Sequence, residues 1–132
     1  MNVKKELISI IFIFGTFSYS NGQSVINDLI AENISSIRII QQSERGFTDE
    51  RTFSDKDEIN DIVFYLKKND YRSYGIEEIE GTIHGSDWRY KIIFYGWRDD
   101  IYIFKDKVII GVSTFRLPPG MIRELDRIFR DL

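Results

Sequence analysis

The sequence predicts an α+β domain: a four-stranded antiparallel meander, with an N-terminal β-hairpin, packed on one face by two amphipathic helices. Three observations carry that expectation. Residues 79–115 hold short runs of alternating apolar and polar side chains separated by turn residues. Ile59, Ile62, Val63 and Leu66 recur at helical spacing, as do Met121, Ile122, Leu125, Ile128 and Phe129. No repeat, low-complexity tract or Pro/Gly/Ser linker interrupts residues 23–132, which predicts a single domain of about 110 residues.

The first segment is expected to be a targeting signal rather than part of the fold. Lys4 and Lys5 precede an apolar run, Leu7 to Phe14, broken only by Ser9 and extended by Phe17. Small residues follow: Ser18-Tyr19-Ser20 would place cleavage before Asn21, and Ser20-Asn21-Gly22 before Gln23. A positive start, a short apolar core and a small-residue end, in that order, describe a secretory signal peptide over residues 1–22. The run falls short of the roughly 20 residues that span a bilayer, so a stable membrane anchor is not expected.

After the signal, Val25, Ile26, Leu29 and Ile30 have the spacing of a short first helix. Ser36–Ser43 is expected as a strand, Glu44-Arg45-Gly46 as a turn and Phe47–Phe53 as the returning strand. Ser54 is placed to cap a helix, with Asp55, Asp57 and Glu58 in its first turn, where carboxylates favour the positive end of the dipole. Lys67 and Lys68 close that helix with complementary charge, and Asn69-Asp70 ends it.

Gly85-Ser86 suits the centre of a two-residue hairpin. That register sets Ile83 against Trp88, Ile79 against Ile92, and Glu80 against Lys91. Arg98-Asp99-Asp100 and Lys105-Asp106-Lys107 make the next turns, around a strand at Ile101–Phe104. Val108–Phe115 is expected as the last strand, stopped by Pro118-Pro119-Gly120 before the C-terminal helix.

Alternation through this meander divides the side chains between two faces. Ile79, Ile83, Trp88, Tyr90, Ile92, Phe94, Ile101, Ile103, Val108, Ile110 and Val112 form an apolar face, expected beneath the helices. The opposite face carries Glu78, Glu80, Thr82, His84, Arg89 and Lys91 at one end, and Ile93, Tyr95, Trp97, Tyr102, Phe104 and Ile109 further across. A solvated sheet face should be polar, and half of this one is aromatic. Two explanations stand side by side. The rings pack beneath another element of the chain, which is the usual fate of rings on strands. Alternatively they form a binding face, with Tyr95, Trp97, Tyr102 and Phe104 as anchors and Arg89 and Lys91 at its polar edge.

Composition excludes several classes. There is no cysteine, so neither disulfides nor lipid attachment through an N-terminal Cys is available, and packing must supply the stability. A disulfide-free exported chain suggests a bacterial origin. Loss of Lys4, Lys5 and Glu6 with the signal moves the formal charge from −3 to −4. The basic residues are scattered, which gives no footprint for nucleic acid. Asn33-Ile34-Ser35 fits a glycosylation sequon, a motif short enough to arise by chance.

Catalytic sets are equally sparse. His84 is the single histidine, and there is no G-x-S-x-G elbow to go with a Ser-His-Asp triad. One His and no Cys exclude the usual zinc sets. Asp55, Asp57 and Asp61 begin like a calcium loop, but Asn60 stands where the loop needs Gly and Leu66 where it needs Glu. Glu78 and Glu80 share a strand face, but Glu80 has Lys91 as its expected partner. No cofactor or metal is therefore expected.

The leading expectation is an extracytoplasmic domain, periplasmic or secreted, that binds without catalysis. Its partner would be a protein or a flat ligand held on the aromatic sheet face. The alternatives are a small enzyme with its site around His84, Asp87, Glu80 and Arg89, and a purely structural envelope domain. N-terminal sequencing of the exported protein should give a start at Asn21 or Gln23; a start at Met1 would overturn the signal peptide.

Overall fold

The computed structural model describes residues 25–73 and 87–132. The signal segment, and the expected strand and hairpin turn with Ile79, Glu80, Ile83, His84, Gly85 and Ser86, lie outside the described residues. Among the described residues the architecture is α+β, with a six-stranded antiparallel sheet and two α-helices. The strands are β1 (Ser36–Gln42), β2 (Thr48–Phe53), β3 (Tyr90–Tyr95), β4 (Ile101–Ile103), β5 (Lys107–Ile110) and β6 (Ser113–Arg116). The α-helices are α1 (Lys56–Lys68) and α2 (Met121–Asp131), and a single 3-10 turn, Ala31–Asn33, precedes β1. The sheet order is β2-β1-β3-β4-β5-β6. Among the described residues, no helix is long and apolar enough to cross a membrane.

The β1–β2 hairpin follows from its turn. Glu44, Arg45 and Gly46 form a three-residue loop, closed by Gly46 N–H donating to the Ser43 carbonyl. Gly46 has φ +85°, the left-handed conformation such loops need at their last position. Phe47 stays outside the strand and is exposed. The hairpin joins the rest of the sheet through β1, whose Ile37 and Ile39 pair with Phe94 and Ile92 of β3.

Helix α1 is capped one residue later than the sequence suggests. Asp55, not Ser54, takes the extended N-cap conformation and accepts the Asp57 N–H at 2.7 Å. A carboxylate there satisfies one orphan amide and favours the positive end of the helix dipole. Ile59, Ile62, Val63 and Leu66 are buried. Helix α2 buries Met121, Leu125, Ile128 and Phe129. These join Ile37, Ile39, Tyr90, Ile92, Phe94, Ile101, Ile103, Val108, Ile110 and Phe115 of the sheet in one core. Ile26 and Leu29 complete it from the N-terminal side, whereas Ile30 turns outward. Lys67 ties that segment to α1 by donating to the Leu29 carbonyl at 2.8 Å.

The expected single strand Val108–Phe115 is two strands. Gly111, with φ +62°, opens a two-residue hairpin in which Ile110 pairs with Ser113. Positive φ at the first loop position suits glycine, and the chain reverses there instead of running on. Val112 then sits at the hairpin tip, 94% exposed, rather than in the core. The outer edge of β6 is partly covered by Ser73, which bridges to Phe115. The opposite edge, β2, carries Asp49, Glu50 and Arg51, and charges of this kind discourage pairing with another chain.

Gly96 closes the other end of β3. Its φ is +120°, and an added Cβ would lie 2.1 Å from the Asn33 carbonyl oxygen. Gly96→Ala is therefore expected to destabilise the fold by about 2 kcal/mol or more, combining backbone strain with a backbone clash. Gly46→Ala meets nothing within 4 Å and should cost only about 1 kcal/mol. Thermal unfolding of both variants checks this order; equal losses would contradict the close approach at Gly96.

Candidate functional site

Strand β3 has an irregularity that decides which side chains reach which face. Tyr90 pairs with Ile103, and the Arg89 N–H also donates to the Ile103 carbonyl, at 2.7 Å. Two residues thus oppose one, which is a β-bulge. A bulge reverses the alternation on its N-terminal side. Arg89 consequently lies on the helix side, in a groove with Gln41, Asp126 and Phe129. Trp88 turns to the outer side, edge-on to Tyr102 with ring centroids 6.3 Å apart. Simple alternation assigns both residues the other way round, so Arg89 leaves the expected binding face and Trp88 joins it.

Trp97 also departs from its expected place. The turn at Gly96 ends the strand, and Trp97 folds back against the core, perpendicular to Phe94 at 5.4 Å. Its indole N–H donates to Asp28 Oδ1 at 3.0 Å. Arg98 pairs with the same carboxylate. The Arg98 hydrogen bond, and then that of Trp97, hold the Asp28 carboxyl below its ordinary range. Trp97 thereby fastens the N-terminal segment to the β3–β4 turn.

The register arranges the remaining outer-face residues in rows. One row crosses the sheet as Glu50, Ile40, Lys91, Tyr102, Ile109 and Thr114. Lys91 Nζ stands 5.2 Å from the Tyr102 ring centroid, a cation–π contact worth about 0.5–1 kcal/mol at an exposed site. A second row holds Thr52, Arg38 and Ile93. Arg38 donates to Glu50 at 2.6 Å. Glu50, and then the Tyr95 hydroxyl, favour its charged form. Tyr95 is 45% exposed, while Tyr102, Lys91, Ile93, Ile40 and Trp88 are half-buried. Phe104 lies at the edge of this face but is only 6% exposed, with Lys107 over its ring at 4.9 Å.

Of the six expected binding residues, Tyr95, Tyr102 and Lys91 thus share a half-open surface. Phe104 is buried at its margin, and Trp97 and Arg89 belong to the other side of the sheet. Arg38, Ile40 and Trp88 enter the surface unexpectedly. Arg38 and Ile40 do so because β1 joins β3; Ile37–Ile40 is an unbroken run apart from Arg38, and its partner strand was not evident from spacing. Trp88 enters through the bulge.

The chain matches no known family model, no curated protein and no solved structure. Function must then be argued from the chemistry of the surface itself. Within the six strands, the outer face carries Arg38, Lys91, Lys107 and Arg116 against the single carboxylate Glu50. The whole chain has the opposite balance, a formal charge of −3. This side of the sheet is therefore a basic and aromatic surface on an acidic protein. Among the described residues there is no group of three or more His, Asp or Glu side chains placed to hold a metal ion. The alternative site around His84 and Glu80 lies outside the described residues.

Proposed function

We propose that this is an exported, non-enzymatic binding module that engages a protein partner through the outer face of its sheet. Tyr95 and Tyr102 are the anchors, Lys91 and Arg38 supply charge, and Trp88 supports Tyr102 from the edge. The observation that carries this reading is the exposed Tyr95 on the same face as the Lys91–Tyr102 pair, four residues further along β3, on a face with an excess of cations. Tyrosine and arginine are among the residues that protein interfaces enrich, within a polar rim. The cations favour a partner whose contact surface is acidic, since complementary charge speeds association and fixes register. A broad sheet face also lacks the enclosure that small-molecule sites use.

The competing structural reading draws on Trp97 and Phe104, both of which serve the fold's own packing. A photo-crosslinking residue at Tyr95 or Tyr102, introduced in the cells that produce the protein, separates the two. A discrete partner should be captured at these positions and not at Phe64, an exposed ring on α1. Tyr95→Ala, Tyr102→Ala and Lys91→Glu should each weaken affinity for that partner by about tenfold or more. Equal capture at Phe64, or unchanged affinity in all three folded variants, would contradict the proposal.

A further inference from the structure

A separate cleft lies on the helix side, where the 3-10 turn passes the start of α1. The two elements leave a space of about 150 Å³ between them. Helix α1 contributes Lys56, Ile59 and Asn60, which share one face at i, i+3 and i+4. The turn and its C-cap contribute Ala31, Glu32 and Ile34. Ile34 and Ile59 are buried and, with the Ala31 methyl, give the cleft an apolar floor. Glu32, Lys56 and Asn60 are exposed and form its rim.

The fold does not use this rim. Polar groups nearby are engaged: Lys67 donates to the Leu29 carbonyl, Asp28 holds Trp97 and Arg98, and Asp55 caps α1. The side chains of Glu32, Lys56 and Asn60, in contrast, make no hydrogen bond or ion pair among the described residues. Glu32 and Lys56 thus carry opposite charges on one small cleft and do not pair with each other. We propose that the cleft binds a free aliphatic α-amino acid. The ligand's ammonium meets Glu32, its carboxylate meets Lys56, and its side chain covers Ile34 and Ile59. The Asn60 amide both donates and accepts, so it serves either charged group. A ligand of one charge would leave one rim group unanswered; a zwitterion answers both. An apolar cavity of about 150 Å³ admits a molecule the size of benzene, so the floor has room for an isopropyl or isobutyl group and none for an indole. Exposed ion pairs are weak, which sets the expected affinity on the order of 1 mM. The cleft lies apart from the outer face of the sheet, so it stands or falls independently of the docking surface.

The test is a nuclear magnetic resonance titration of the isotope-labelled full chain with L-leucine and with two analogues that each lack one charge. Isovalerate lacks the ammonium, and L-leucinamide lacks the carboxylate. L-leucine should give saturable amide shifts at Glu32, Ile34, Ile59 and Asn60, and each analogue should bind about threefold or more weakly. L-tryptophan should give no saturable shifts there. Glu32→Gln should abolish the preference for leucine over isovalerate, and Lys56→Gln the preference for leucine over leucinamide. Both side chains are exposed, so both variants should keep the fold. Glu44→Gln, at an exposed residue of the β1–β2 turn, should change neither preference. Absence of saturable leucine shifts at the cleft, an analogue or tryptophan bound as tightly as leucine, or preferences unchanged in the Glu32 and Lys56 variants would overturn the proposal.

Discussion

Strand β3 carries the hydrogen-bond ladder that joins two otherwise separate pairings. On one side it holds β1 and, through it, the β1–β2 hairpin; on the other it holds β4, β5 and β6. The core depends on this joint, because Ile37 and Ile39 lie beside Phe94 and Ile92 only when the ladder is in register. A slip of β3 by one residue would turn Ile92 and Phe94 to the outer face and bring Lys91 and Ile93 inward. Both ends of the strand are set by local backbone constraints. At one end Gly96 passes against the Asn33 carbonyl, where no side chain fits. At the other, two residues of β3 oppose Ile103.

The bulge has consequences on both sides of the sheet. It delivers Trp88 to Tyr102 and thereby extends the aromatic surface beyond the strand proper. It also places Arg89 next to Tyr90 on the helix side, at the end of α2. Bulges commonly re-aim side chains in this way. One extra residue in the ladder thus extends the proposed docking face with Trp88 and removes Arg89 from it. Trp97, in contrast, is committed to the fold: its indole hydrogen bond to Asp28 and its contact with Phe94 hold the N-terminal segment in place.

Much of the architecture was legible from periodicity. Helical spacing located α1 and α2, because Ile59, Ile62, Val63 and Leu66, and Met121, Leu125, Ile128 and Phe129, each make one apolar stripe. Strict alternation placed Tyr90, Ile92, Phe94, Ile101, Ile103, Val108 and Ile110 in the core. What escaped was whatever a single backbone angle decides. Gly111 looks like a glycine inside an apolar strand, yet its positive φ makes it a hairpin turn and leaves Val112 at the tip. Gly96 diverts Trp97 from the outer face in the same manner. The bulge at Arg89 has no compositional signature, so Arg89 and Trp88 exchanged sides. The partner of β1 was also hidden, since pairing between strands distant in sequence leaves no mark in a local pattern. The outer surface was accordingly legible at Tyr95, Tyr102 and Lys91, and not at Arg38, Ile40 or Trp88.

Contacts of the Trp88 ring, read as cross-relaxation in solution, test the bulged β3 joint most directly. A bulged β3 in register gives contacts from Trp88 to the Tyr102 ring, together with contacts between Ile39 and Ile92 across β1 and β3. Contacts from Trp88 to Phe129 or Leu125 of α2, with Arg89 instead beside Tyr102, would mean an unbulged strand and would contradict it.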